Sequence, residues 1–331
     1  MLHLIEPYRQ SYEQSRAIFR AMICSLSGVH FLITYSCSAE CDHCFIWGSP
    51  GRRSAMTLDQ IDDFLEQVAA LKTVTGVCGE GGESFTQYNL LVQFLRRATA
   101  LGLTAGALTN ASWVASRPQA EGRIAELMAA GLTNLGVSTD QYHQKSVPVE
   151  RVDLLLAVCQ EAGLSAARME TPPDGVMFRG RAAERLAPQM PTRPAEELAS
   201  CPHEQLGAPS RVHLDRYGFL HLCQGLTLGR LPIADAVGGY DPESHPIVRL
   251  LLNGGPYCAM PLCRRPGVRD GTRICGCVPS LLPRQGVSAP PLPRSSRAGR
   301  DVRPVRATAI LRSGRSRLPL SSWNFAPLPM V

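Results

Sequence analysis

The chain has 331 residues, of which 44% are hydrophobic, so it is long enough for one large α/β domain with an appendage. The formal net charge is +6, but the basic excess comes from residues 258–331, which argues against a nucleic-acid-binding face. No apolar run approaches the length of a membrane span, and charged residues interrupt the N-terminal apolar positions, so we expect no membrane anchor or signal peptide. Twelve cysteines then indicate thiols and metal ligands in a cytoplasmic protein rather than disulfides.

Strands and helices are predicted to alternate through the first half of the chain. Residues 1–27 predict an amphipathic lead-in helix, and residues 30–36 form a short apolar, aromatic and β-branched run typical of a strand. A capping box at residues 57–60 opens the first of four further helices. Such alternation predicts a parallel sheet with right-handed crossovers, either open or barrel-like. The later strands are expected at residues 74–78, 104–108, 134–138 and 165–169.

Three cysteines directly follow the first predicted strand. Cys37, Cys41 and Cys44 have C-x3-C-x2-C spacing, so their thiolates can converge on one soft metal centre. Structural zinc sites and ordinary ferredoxin clusters use four protein ligands, whereas this loop supplies three. An iron-sulfur cubane on three cysteines would leave one iron open to an outside ligand. A zinc loop with a distant fourth ligand is the alternative.

The spacing, with aromatic Phe45 next to the last cysteine, resembles the signature of the radical S-adenosylmethionine (SAM) superfamily. The resemblance implies a 4Fe-4S cluster on the three cysteines, with SAM chelated to the open iron beside Phe45. It implies reductive cleavage of SAM to a 5′-deoxyadenosyl radical that abstracts hydrogen from a substrate. It also implies a partial (β/α)6 barrel with both cofactors at the carboxyl ends of its strands, and a reductant such as flavodoxin or ferredoxin.

The tripeptide Gly81-Gly82-Glu83 follows the second predicted strand. Adjacent glycines let the backbone approach a ligand without a Cβ in the way. In the radical SAM family a GGE motif at this strand end binds the methionine amino group of SAM. Ser84 stands where the family usually has proline, a departure that should not remove binding. An ordinary tight turn is the alternative interpretation.

Polar residues also follow or end the later strands. Asn110 resembles a Thr-Asn-Gly station of the family, although Ala111 replaces the glycine. Ser138 and Asp140 fall where relatives contact the ribose or methionine part of SAM. Arg168, in the fifth strand, could pair with the methionine carboxylate as a planar fork. For each residue, a hydrogen-bonded turn or a surface salt bridge is the alternative.

Residues 28–195 are thus predicted to form the radical SAM core, and residues 196–257 a smaller extension. The extension contains an Asp-x-x-Gly turn leading to Cys223, similar to the extension of SPASM-type radical enzymes. That resemblance makes Cys201 and Cys223 candidate ligands of an auxiliary iron-sulfur cluster; two buried thiols are the alternative.

Residues 258–331 lack helical or strand periodicity and are rich in Arg, Pro, Ser and Leu. This composition predicts a disordered tail or the product of a frameshift. A SPASM-like extension favours a peptide or protein substrate, although a small molecule stays open. Outside the radical SAM family, the sequence is compatible with an iron-sulfur electron carrier or a zinc-binding interaction protein.

Overall fold

A computed structural model describes most of the first 255 residues, and all described residues lie within one compact unit, Met1–Pro283. The predictions for Cys201, for residues 1–25 and for nearly all of the tail concern residues outside this described part. None of the described helices is long and apolar enough to cross a membrane. The described residues are 26–172, 175–189, 193–194, 205–223, 226–255 and 273–274.

The predicted alternation of strands and helices is confirmed through the fifth strand. The capping box opens the first helix, because Thr57 Oγ1 accepts the Gln60 N–H at 3.2 Å and Gln60 Oε1 accepts the Thr57 N–H at 3.0 Å. Each helix buries one apolar face against the sheet. The elements are β1 Gly28–Thr34, α1 Leu58–Ala70, β2 Gly76–Gly81, α2 Tyr88–Ala100, β3 Thr104–Thr109, α3 Arg117–Ala129, β4 Leu132–Ser138, α4 Val149–Glu161 and β5 Ser165–Met169.

Three later strands, β7 Arg211–Asp215, β8 Phe219–Cys223 and β9 Leu226–Arg230, join the first five. The main sheet thus has eight strands in the order β5-β4-β3-β2-β1-β7-β8-β9. Strands β1 to β5 run parallel, and the sixth parallel strand, β7, pairs with the opposite edge of β1. Strands β8 and β9 continue the sheet in antiparallel fashion. The predicted α/β class with a parallel sheet is confirmed. The later elements are α5 Arg181–Arg185, β6 Arg193–Pro194, β7 Arg211–Asp215, β8 Phe219–Cys223, β9 Leu226–Arg230, α6 Ile233–Gly238, α7 Pro246–Leu252 and β10 Arg273–Ile274.

The two faces of the sheet have different chemistry. Phe31 of β1 packs on Phe94 of α2, with ring centroids 5.1 Å apart, so this face carries the helices and the apolar core. Because side chains alternate along a strand, His30, Leu32 and Thr34 lie on the opposite face, which we call the inner face. The inner face also carries buried histidines and carboxylates, so it is the more polar of the two.

Candidate active site

The three cysteines lie on a loop, residues 37–48, that starts just beyond the carboxyl end of β1. Cys37 and Cys41 are each 8% exposed and Cys44 is half-buried, and none of the three is in a disulfide. Backbone N–H groups already point at two of the sulfurs. The Ala39 N–H donates to Cys37 Sγ at 3.4 Å, and the Gly48 N–H donates to Cys44 Sγ at 3.2 Å. Such donors stabilise thiolates and metal-bound sulfur.

Burial raises the pKa of two thiols in this loop. Desolvation raises the pKa of the Cys37 thiol to about 11 and that of the Cys41 thiol to about 12. Both thiols therefore hold their protons at neutral pH unless a cation replaces them. Metal ligands must be deprotonated, so loading a metal centre here displaces protons.

The GGE turn lies directly against the start of the cysteine loop. The Gly82 N–H donates to the Thr34 carbonyl at 2.7 Å, and the Glu83 N–H donates to the Ser36 carbonyl at 2.8 Å. A Cβ on Gly82 would stand 2.2 Å from the Ser36 oxygen, and Gly81 has φ +145°, so neither position accommodates a side chain. The glycines thus permit a close backbone approach, and the group that they approach in this structure is the end of β1.

Glu83 joins the ends of β2 and β3. Its side chain is buried, and its Oε1 accepts the Phe85 N–H at 3.1 Å and the Thr109 hydroxyl at 2.9 Å. Its Oε2 accepts the Asn110 N–H at 2.6 Å. Burial raises the pKa of this carboxyl to about 7, although the hydrogen bonds act in the opposite direction. The Glu83 carboxylate is therefore occupied in holding the β3 end in place.

Asn110 reaches back to the cysteine loop. Its side-chain Nδ2 lies 3.6 Å from Cys37 Sγ and 3.3 Å from Ser38 Oγ, and its Oδ1 accepts the Ser112 N–H. Ala111, at the position where the resembled motif has glycine, adopts φ +60°. A left-handed conformation is unfavourable for a non-glycine residue. Glycine in the family motif would adopt it without this cost, whereas in this chain Ala111 adopts it.

Asp140 contacts the cysteine loop from the other side. Its Oδ1 accepts the backbone N–H groups of Tyr142 and His143 at 2.9 Å, and its Oδ2 lies 3.3 Å from Nε2 of His43, a residue of the cysteine loop. The His43 ring stacks on Tyr142 with centroids 4.7 Å apart. Burial raises the pKa of Asp140, but hydrogen bonds from His143 and His43 outweigh that effect and hold it well below its usual range. The carboxylate is thus an ionised anchor for the loop.

The structure does not bring every predicted residue to this loop. Ser138 ends β4 half-buried, in register with Met169 on the inner face. Arg168 is in register with Val137 of the apolar core, so it faces the helices, where it pairs with Asp153 of α4. Alternation along β5 therefore points Arg168 away from Ser138, and this arrangement argues against its predicted contact with SAM.

Phe45 connects the loop to the C-terminal strands. The Arg179 guanidinium lies 5.2 Å from the centroid of the Phe45 ring and donates a hydrogen bond to Cys223 Sγ. Cys223, at the end of β8, is thereby brought to the edge of the cysteine loop. Because Cys201 lies outside the described residues, the predicted pairing of the two cysteines stays a prediction.

One functional residue was not predicted from the sequence. Arg181 is only 2% exposed, and its guanidinium donates to the carbonyls of Cys41 at 2.8 Å and Gly48 at 2.7 Å. Its own N–H donates to the Cys44 carbonyl at 2.8 Å. Arg181 therefore fixes the loop at three points. It lies in a proline- and arginine-rich stretch without periodicity, so no local pattern distinguishes it from neighbouring exposed arginines.

Comparison with known sequences finds little overall similarity. No protein-family model matches the chain. YydG of Bacillus subtilis (strain 168), provisionally assigned to peptide biosynthesis, is 24% identical over 120 residues, or 36% of this chain and 38% of that protein. The match thus spans little more than a third of the relative.

Solved structures of similar fold cover more of the chain at lower identity. BtrN in complex with AdoMet and 2-DOIA is 16% identical, with a TM-score of 0.48 over 70% of this chain and 88% of that one. The structure of anSMEcpe with bound AdoMet is 10% identical, with a TM-score of 0.43 over 69% of this chain and 83% of that one. SuiB of Streptococcus suis bound to S-adenosylmethionine is 11% identical, with a TM-score of 0.35 over 71% of both chains.

Proposed function

We propose that this chain belongs to the radical SAM superfamily and cleaves SAM reductively at a 4Fe-4S cluster held by Cys37, Cys41 and Cys44. The observation that carries the proposal is the union of two motifs at one edge of the sheet. The GGE turn donates backbone hydrogen bonds to the carbonyls of Thr34 and Ser36, at the end of β1 and directly before the cysteine loop. The two motifs lie far apart along the chain, so local connectivity does not force them together.

The residues around the loop fit such a cluster. Two thiols are shielded from water and one is more open, and N–H donors already point at Cys37 and Cys44. Hydrogen bonds to the sulfurs and burial are the means by which proteins tune iron-sulfur centres. A cluster bound here would supply the electron for reductive cleavage of SAM to methionine and a 5′-deoxyadenosyl radical. Arg181 and Asn110 contact the loop on which the cluster would be bound.

We further propose that SAM lies against the carboxyl ends of β2 to β4. The backbone of Gly81 to Glu83 and the amide of Asn110 would meet its methionine part, and the hydroxyl of Ser138 its ribose. Phe45 would cover the open side of the cluster. The carboxylates of Glu83 and Asp140 already accept several internal hydrogen bonds, so we assign them the role of holding neighbouring groups in position.

The substrate that we propose is a peptide. Its support is the sequence match to YydG, whose provisional assignment is to peptide biosynthesis. A flavodoxin or ferredoxin would deliver the electron. Cys223, placed beside the loop through Arg179, is a candidate ligand of an auxiliary cluster together with Cys201.

The test is 5′-deoxyadenosine formation by the anaerobically reconstituted full chain given SAM and dithionite. A variant with Cys37, Cys41 and Cys44 changed to alanine should lose both the iron-sulfur absorbance and the product. Cys159→Ala is the matched control, because Cys159 is a buried thiol of the helix-side core, and it should retain both.

Electron paramagnetic resonance separates the remaining functions. The signal of the reduced cluster should change when SAM is added, even if turnover to product waits for a substrate. A cluster whose signal ignores SAM would mean an electron carrier, and a chain that binds zinc in place of iron would mean a zinc protein. Either result would overturn the proposal.

A further inference from the structure

A second group of metal-binding side chains lies on the inner face of the sheet. His30 of β1 and His213 of β7 flank Glu80 of β2, and all three are buried. His30 Nδ1 lies 3.0 Å from Glu80 Oε2, and His213 Nδ1 lies 2.7 Å from Glu80 Oε1. The three ligand atoms are all within 4.8 Å of one another. Two imidazoles thus converge on one carboxylate.

The sheet itself creates this arrangement. His30 and His213 are register partners on adjacent parallel strands, and their rings meet edge to face with centroids 5.2 Å apart. Glu80 is in register with Leu32, two residues beyond His30 on the same face of β1. Glu80 therefore lies two residues further along the strand direction than the histidines, and its carboxylate reaches back to both rings. Ladder hydrogen bonds of three strands fix the positions of all three side chains.

We propose that His30, Glu80 and His213 bind a divalent transition-metal ion, with zinc as the best match, and that solvent completes its coordination. Two imidazole nitrogens and one carboxylate form an established zinc donor set, whereas Mg²⁺ and Ca²⁺ prefer oxygen ligands alone. Zinc-ligand bonds of about 2.0–2.1 Å in a tetrahedron place neighbouring ligand atoms roughly 3.3 Å apart. The observed nitrogen–oxygen separations of 3.0 and 2.7 Å each involve a different oxygen of Glu80, and they would widen by roughly 0.3 and 0.6 Å.

Burial also favours a cation at this position. A carboxylate removed from water is costly unless a positive partner and hydrogen bonds compensate it. A divalent ion between the carboxylate oxygens and the two Nδ1 atoms would supply that compensation, and each imidazole would then carry its proton on Nε2. The ion would cross-link β1 and β2 to β7, which joins the sheet from the C-terminal part of the chain.

This centre is separate from the cysteine loop. His30 lies four residues before Thr34, where β1 ends, which corresponds to about 13 Å along the strand, and Cys37 follows three residues beyond that end. Its ligands include no thiolate. The proposal is therefore independent of the radical chemistry, and it can be tested on a chain that cannot hold the iron-sulfur cluster.

The experiment uses the full-length chain with Cys37, Cys41 and Cys44 changed to alanine. Zinc per chain is measured by mass spectrometry after dialysis against a zinc buffer, with and without the added pair His30→Gln and His213→Gln. His221→Gln is the matched control, because His221 is a buried inner-face histidine that contacts Asp215 instead of Glu80. The parent and the control should hold one more zinc than the double-histidine variant. Equal zinc in all three would overturn the proposal.

A second measurement does not depend on whether the double variant folds. Cobalt(II) added to the parent should give visible bands of a nitrogen- and oxygen-ligated ion, and Glu80→Gln, which keeps the side-chain size, should weaken cobalt binding at least tenfold. Absence of such bands in the parent, or unchanged affinity in Glu80→Gln, would show that the three residues form only a hydrogen-bonded cluster.

Discussion

The cysteine loop and the His30–Glu80–His213 cluster each present three metal-binding side chains, but different parts of the fold hold them in position. The cluster residues lie within strands, so the hydrogen-bond ladders of the sheet set their spacing. The cysteines lie beyond the end of β1, where the chain makes an isolated bridge between Ser36 and Ser49. Their loop depends instead on contacts from distant segments, chiefly the GGE turn and Arg181. A ligand set on a loop is therefore sensitive to residues that never touch the metal.

The largest effect is expected where the GGE turn meets the loop. Gly82→Ala would place a Cβ 2.2 Å from the Ser36 carbonyl oxygen, a backbone atom, so the turn and the start of the loop must separate. We expect a loss of about 4 kcal/mol in the free energy of unfolding, measured by urea denaturation, together with loss of bound iron.

Gly122→Ala is the control for that substitution. Gly122 lies inside α3, and a Cβ there meets no atom within 4 Å, so alanine should stabilise the chain by about 0.5–1 kcal/mol. If Gly82→Ala retained wild-type stability and iron, the tight junction between the two motifs would not matter to the site.

Arg181→Met should come next in size. The substitution leaves the buried carbonyls of Cys41 and Gly48 without their side-chain donors, which should cost about 3 kcal/mol. Iron per reconstituted chain should fall as well, because the loop loses two of its three contacts with this residue. Arg185→Met is the matched control, since Arg185 pairs with Glu40 and Asp42 of the same loop but at the surface. Equal iron loss in both variants would mean that loop charge, rather than the buried contacts, is what matters.

Ionisation of Glu83 should make the free energy of unfolding depend on pH. Its folded-state pKa of about 7 lies above the ordinary value of 4.5, so the folded chain binds the proton more tightly. Its contribution to the free energy of unfolding is therefore largest at low pH and is lost as pH rises towards and through 7. Glu83→Gln cannot ionise. The free energy of unfolding of the wild type, relative to that of the variant, should therefore fall by about 2 kcal/mol between roughly pH 5 and 7.

Urea denaturation across that pH range measures the effect. Glu66→Gln, which removes an exposed carboxylate from α1, controls for the loss of one negative charge. A constant difference between wild type and Glu83→Gln would show that the carboxyl stays ionised throughout.

The smallest effect is expected for Asn110→Ala. This change removes the hydrogen bond to Cys37 Sγ, so the cluster potential should drop. It also removes the side-chain amide that we propose to contact SAM, and the loss of about 1 kcal/mol should lower SAM affinity roughly fivefold. Arg168→Ala, which removes the ion pairs with Asp153 and Glu170, should leave both unchanged. A larger loss of SAM affinity in Arg168→Ala than in Asn110→Ala would reinstate the arginine as a SAM ligand.

The sequence alone determined the α/β alternation, the cysteine loop after β1 and the GGE turn after β2. These features are local: apolar periodicity, capping residues and short cysteine spacings are each complete within a few tens of residues. The predicted placement of Asn110 and Asp140 after strand ends also follows from such logic. The structure brings both beside the loop, because carboxyl ends of parallel strands meet at one edge.

Only the tertiary structure decided the remaining features. Strand β7 pairs with β1 across a sequence separation that no local pattern reports, and this pairing brings His213 to His30 and Glu80. Arg181 is likewise defined by what surrounds it, because burial among loop carbonyls cannot be read from an isolated arginine. Arg168 turned out to face the helices because sheet register, rather than strand position, decides the direction of a side chain.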